Sequence, residues 1–94
     1  MSGDPVSGTA RAQVPARLID LSLGGALLDL KTALDVGAIH DFALQLDHDV
    51  VWVQGEVKRC RQVRSEGFEV GIEFLGIDPH DQSRLQAYLK RRQA

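Results

Sequence analysis

The sequence predicts an all-β fold, a small antiparallel β-barrel of five to six strands whose opening is covered by one C-terminal α-helix. Three observations predict it. Apolar residues recur with a period of two in several short runs, and clusters of Gly, Asp and Ser separate those runs. Helical spacing enters at the end of the chain, behind the pair Asp78-Pro79. With 94 residues, 44% of them hydrophobic and 26% charged, there is material for one compact domain with a modest core.

Residues 1–8 are rich in Gly, Ser and Pro and show no period, so they are expected to be a flexible lead-in to a single domain over residues 9–94. Thr9 to Val14 is expected as a short strand that Pro15, which has no backbone donor, breaks or redirects. Arg17 to Leu23 follows as a strand with Ile19, Leu21 and Leu23 on one face and Leu18, Asp20 and Ser22 on the other, the polar pair pointing away from the core. Gly24-Gly25 ends it, since glycine reaches positive φ at little steric cost, and Ala26 to Leu30 is its partner strand.

After a turn at Asp35-Val36-Gly37, Phe42, Leu44 and Leu46 alternate with Ala43, Gln45 and Asp47 in a half-buried strand. Asp47-His48-Asp49 connects it to a strand in which Val51, Val53 and Val57 share a face. For Cys60 to point inward as well, one extra residue is needed near Lys58-Arg59, which is what a β-bulge supplies. Ser65-Glu66-Gly67 turns the chain into Phe68, Val70, Ile72 and Phe74, the clearest alternation in the sequence. Asp78 is the expected N-cap, with Pro79 at the first helical position and Asp81 in the first turn of a helix over residues 79–92 that buries Leu85, Tyr88 and Leu89.

Several function classes lose support at once. A formal net charge of −2, from 11 basic and 13 acidic residues, gives no general field for nucleic acid, and five aromatic residues are few for a stacking platform. No apolar run approaches the ~18 residues that span a bilayer, and nothing at the amino terminus reads as a secretory signal, so membrane insertion is not expected and the cytoplasm is the expected compartment. The single cysteine, Cys60, reads as a small structural thiol. His40, His48 and His80 sit in apparent turns or at a helix start without ligand spacing, so no metal is expected. Ser22 lacks the context of a nucleophile elbow, and the chain reads as non-enzymatic, with no cofactor.

Binding has better candidates. Asp20 and Ser22, two residues apart on one strand face, present acceptors suited to a polar heterocycle, and a carboxylate accepts well from the N1–H and amine of a guanine edge. The same two side chains also suit hydrogen bonds to neighbouring backbone that stabilise the turn, and both readings stay open. Lys58, Arg59, Arg61 and Arg64 form a basic group that faces either solvent or a phosphate, while Lys90, Arg91 and Arg92 suit the negative end of a helix dipole.

The run Arg17-Leu18-Ile19-Asp20-Leu21-Ser22-Leu23-Gly24-Gly25-Ala26 resembles the D/N-x-S-x-x-G motif strand of the PilZ domain family, bacterial receptors for cyclic di-GMP. Phe68-Glu69-Val70-Gly71-Ile72-Glu73-Phe74 resembles the family's later Gly-x-x-Phe strand, and Leu85-Gln86-Ala87-Tyr88-Leu89 its terminal helix. The resemblance implies a six-stranded antiparallel barrel that binds cyclic di-GMP on its outer surface, with Asp20 and Ser22 on a guanine and Gly25 shaping the turn. The family's upstream Arg-x-x-x-Arg pair is missing: the arginines before Asp20 are Arg11 and Arg17, six apart. Either the phosphate clip is degenerate, or Arg11, Arg17, Arg59 or Arg61 replaces it. Two functions follow, a cyclic di-GMP receptor or a nucleotide-independent adaptor that holds a protein partner in motility or pilus assembly. Trp52, expected outward from its phase against Val51 and Val53, suits a stacked base or a protein interface. The shortfall of a first strand leaves an expected open edge, through which a homo-oligomer is plausible.

Overall fold

The computed structural model describes residues 13–93. Five strands follow in order, β1 (Gln13–Leu21), β2 (Gly25–Leu30), β3 (Ile39–Leu46), β4 (Asp49–Arg64) and β5 (Gly67–Ile77), and then helix α1 (Pro79–Gln93). They close into a barrel in the order β1-β2-β5-β4-β3. The predicted all-β barrel with one C-terminal helix is therefore the fold that forms. Four of the five neighbouring pairs are antiparallel and the closing pair, β1 with β3, is parallel. Parity requires this, because strand direction cannot alternate all the way round a ring of five.

Pro15 does not break β1. Gln13 to Ala16 pair with β3 and Arg17 to Leu21 pair with β2, so Pro15 lies where the strand has a neighbour on one side only. The expected strand from Thr9 and the lead-in at residues 1–8 lie outside the described residues, apart from Gln13 and Val14 at the start of β1. The facing of β1 departs from expectation. Leu18 and Leu21 pack against the core while Ile19 and Leu23 are exposed. The cause is a bulge: Leu18 opposes Leu28 and Asp20 opposes Leu27, leaving Ile19 as an extra residue.

In β4 the expected bulge is present. Val57 opposes Ile72 and Arg59 opposes Gly71, so Lys58 is the extra residue and Cys60 turns toward the core. Val51, Val53 and Val57 fill the interior with Phe42, Leu44, Leu46, Leu28, Val70 and Ile72. His40 is in β3 and not in a turn; it is buried, with its ring edge-on to Phe42 at 5.9 Å. Trp52 is outward and 44% exposed. At the β3–β4 hairpin Asp47 takes a left-handed φ of 50°, a conformation that aspartate tolerates better than most residues.

Asp78 caps α1 as expected, its Oδ1 accepting the His80 N–H at 2.9 Å. Leu85 and Tyr88 complete the core, and Leu89 is half-buried. One tie was not legible in the sequence. Arg84 donates to Asp49 through Nε at 2.8 Å and again through Nη2, to Asp81 at 2.7 Å and to the Val50 carbonyl at 2.7 Å, fastening α1 to the start of β4.

The two glycines that end the β1–β2 connection differ. Neither has a positive φ, so the turn conformation is not what requires them. A Cβ on Gly25 would collide with the carbonyl oxygen of Ile72 in β5, whereas one on Gly24 would meet nothing within 4 Å. Gly25→Ala is therefore expected to cost about 1–3 kcal/mol by overpacking, and Gly24→Ala to stay within about 0.5 kcal/mol of wild type. Thermal unfolding of both variants checks this, and equal losses would contradict it.

The hydrogen bonds from Arg84 hold the Asp49 carboxyl below its ordinary pKa of 3.8. A depressed folded-state value gives stability that is present above the ordinary value and lost as pH falls through the folded one. Asp49→Asn is thus expected to lower Tm near neutral pH and to converge on wild type in strong acid. A gap that does not narrow as pH falls below the ordinary aspartate value would exclude the pair as the source.

Candidate functional site

The bulge in β1 decides where Asp20 goes. By adding Ile19 to the strand it sets Asp20 on the outer surface, opposite the half-buried Leu27 of β2. Leu27 opposes Gly71 of β5, and Gly71 opposes Arg59 of β4. Asp20, Leu27, Gly71 and Arg59 therefore form one row across four strands, all on the outer face. At a strand spacing of about 4.8 Å the ends of the row are roughly 14 Å apart along the sheet. A groove of about 300 Å³ lies along it, lined also by Leu21, Ser22, Gly25, Ala26, Lys58 and Ile72.

Within the groove the two motif side chains do different things. Asp20 Oδ1 accepts the Leu21 N–H at 2.9 Å, and Oδ2 has no hydrogen-bond donor among the described residues. Ser22 closes the turn: its N–H donates to the Gly25 carbonyl at 2.9 Å, and its hydroxyl both donates to that carbonyl and accepts the Gly25 N–H at 3.2 Å. The next carbonyl, that of Gly24, accepts the Phe74 N–H at 3.0 Å and so ties the turn to β5. Ser22 and Gly25 set the shape of this end of the groove. Asp20 carries an acceptor, Oδ2, that meets no donor among the described residues.

At the other end the bulge in β4 turns Lys58 and Arg59, two successive cations, to the groove. Lys58 Nζ pairs with Glu73 Oε1 at 3.2 Å and Glu56 Oε2 at 3.5 Å, and the Glu73 carboxylate raises the Lys58 pKa above its ordinary value of 10.5. Arg61 pairs with Glu69 at 2.8 Å and Arg64 with Asp29 at 3.0 Å. Arg59 has no ion-pair partner among the described residues. Its stem lies over Gly71, with Cγ at 3.1 Å and Nε at 3.2 Å from where a Cβ would be.

Of the residues expected at the site, the structure brings Asp20, Ser22 and Gly25 together with Arg59, one of the arginines considered as a replacement for the missing pair. Arg61 is directed to Glu69 beside the groove. Arg17 lies elsewhere, exposed on the wall of a wider groove of about 940 Å³ that also holds Trp52 and Ala43. Arg11 is outside the described residues. Lys58 was legible only as one member of a basic group. The signal for its place is the break in alternation between Val57 and Cys60, which turns an extra residue outward. Among the described residues no group of three or more His, Cys, Asp or Glu side chains is placed to hold a metal ion, and no helix is long and apolar enough to cross a membrane.

Comparison with curated proteins and with solved structures gave no match. The family model of the PilZ domain matches residues 5–91, which takes in every strand of the barrel and most of α1. The chain belongs to the PilZ domain family.

Proposed function

We propose that this PilZ domain is a cytoplasmic signalling receptor that takes cyclic di-GMP into the outer groove between Asp20 and the β4 bulge. A single observation carries the reading: the free carboxylate oxygen of Asp20 shares one open groove with two cations, over a floor of Leu27 and Gly71. Asp20 accepts from the N1–H and amine of a guanine, a charge-assisted pair that a neutral side chain does not replace. Leu27 gives an apolar surface for the base, and the absence of a side chain at Gly71 lets the Arg59 stem lie across the floor beside it. A groove of about 300 Å³ is at the small end of ligand sites, which run from about 300 to 1,000 Å³. It suits one guanine with its adjoining phosphate, the rest of the dinucleotide remaining outside.

The wider groove favours a second reading. There Trp52, 44% exposed, stands with Val14, Pro15 and Ala43 on a largely apolar wall. An exposed indole in such a place is the type of anchor that protein interfaces use. In this reading the domain is an adaptor that holds a partner through the Trp52 face, with or without nucleotide.

Calorimetric titration with cyclic di-GMP separates the two. Micromolar binding that Asp20→Ala weakens at least tenfold is expected, in line with loss of a hydrogen bond to a charged group worth about 1.5–3 kcal/mol. No heat up to about millimolar nucleotide, a binding free energy no better than about −4 kcal/mol, would overturn the receptor and leave the adaptor.

A further inference from the structure

We propose that the β4 bulge, Lys58-Arg59, is the anion-binding half of the groove and receives a phosphodiester of the bound dinucleotide, with Glu73 as the internal carboxylate that this anion displaces from Lys58. The inference rests on the receptor reading above and assigns that site its phosphate contacts.

The pairing of charges along β4 supports it. The strand carries Lys58, Arg59, Arg61 and Arg64. Three of them meet carboxylates, and Arg59 meets none among the described residues. An uncompensated guanidinium on a surface is common by itself. This one is held by local geometry at a place that selects for an anion. The bulge gives the strand two successive outward residues, so Lys58 and Arg59 point to the same groove and not to opposite faces. Gly71 leaves open the space into which the Arg59 stem folds. The cross-strand row then sets Arg59 three strands from Asp20, with an acceptor at one end, donors at the other and no charged residue between them.

That order matches the order of groups in the ligand. A guanine edge donates and a phosphodiester accepts, so Asp20 and Arg59 select opposite ends of one nucleotide unit. Reversing the ligand would set the phosphate against the Asp20 carboxylate. Lys58 has a different role. Its ammonium is 3.2 Å from Glu73, which lies beside Gly25 in the register of β2 and β5. Glu73 lies on β5 between Gly25 at the motif end and Glu56 of β4, and its contact with Lys58 brings negative charge to the cation that would meet the phosphate. Binding must exchange the Lys58–Glu73 pair for a Lys58–phosphate pair, and the carboxylate lowers affinity for any anion there.

The assignment predicts effects of opposite sign from residues on adjacent strands. In calorimetric titration with cyclic di-GMP, Arg59→Gln is expected to weaken binding about tenfold or more, and Arg59→Lys to recover part of that loss. Glu73→Gln is expected to tighten binding about threefold by releasing Lys58 and removing a nearby negative charge. Lys31→Gln, an exposed cation outside the groove, changes net charge as Arg59→Gln does and is expected to alter affinity less than twofold. Arg59→Gln is also expected to flatten the weakening of binding by added salt. Wild-type binding that Arg59→Gln leaves intact, or that Lys31→Gln weakens equally, overturns the anion site while the receptor stands. Weakening by Glu73→Gln overturns the displacement role of Glu73. Absence of wild-type binding overturns the receptor reading, and this assignment with it.

Discussion

Closing five strands into a ring forces the longest of them to bend, and this chain bends them at β-bulges. An extra residue increases local twist and turns the strand, which lets one sheet wrap back on itself. The same insertion shifts the phase of every residue that follows it. In β1 the extra Ile19 brings Leu18 and Leu21 to the core and puts Asp20 outside. In β4 the extra Lys58 turns two successive cations outward and restores Cys60 to the inner face. Two of the bulges in the barrel are thus also the features that furnish the groove.

The interior leaves no alternative location for a ligand. Phe42, Leu28, Leu44, Val51, Val53, Val57, Val70 and Leu85 are fully buried and fill the space inside the ring. A small barrel of this kind is a packed core and not a container. Recognition must take place on the outside, where residues of opposite phase form their own rows. Asp20, Leu27, Gly71 and Arg59 are such a row, and its order of charged, apolar, absent and charged side chains is set by the pairing register alone. The close approach of Gly25 to Ile72 holds β2 and β5 in that register at the motif end.

What the sequence made legible follows from how local each signal is. Alternation in Phe42 to Leu46 and in Phe68 to Phe74 marked two strands, and Asp78-Pro79 marked the start of the helix. The bulge at Lys58 was legible because valines on one phase and Cys60 on the other cannot share a face in a regular strand. The bulge at Ile19 left no such trace, because Leu18, Ile19, Leu21 and Leu23 are apolar in both phases and either alternation fits. Gly24 and Gly25 look equivalent in the sequence, and only the approach of a strand remote in the chain distinguishes them. The parallel pairing of β1 with β3 and the tie from Arg84 to Asp49 are long-range relations that no window of sequence contains. Of the site, Asp20, Ser22 and Gly25 came from a local motif, while the place of Arg59 beside them required the register of four strands.

Charge is distributed over the outer face with a bias that net charge conceals. Glu69 neutralises Arg61 and Asp29 neutralises Arg64, so the far end of β4 is a set of closed pairs. Closed pairs at a surface are worth little in stability, about 0–1 kcal/mol each, but they cancel field. At the bulge the arrangement differs, because Lys58 is shared between two carboxylates and Arg59 has no ion-pair partner among the described residues. On a domain with a formal net charge of −2, a cation without an ion-pair partner among the described residues, set over a glycine, selects position more narrowly than a broad basic patch does. A broad patch attracts any polyanion from any direction. One guanidinium opposed across the groove by one carboxylate attracts a small ligand in a single orientation.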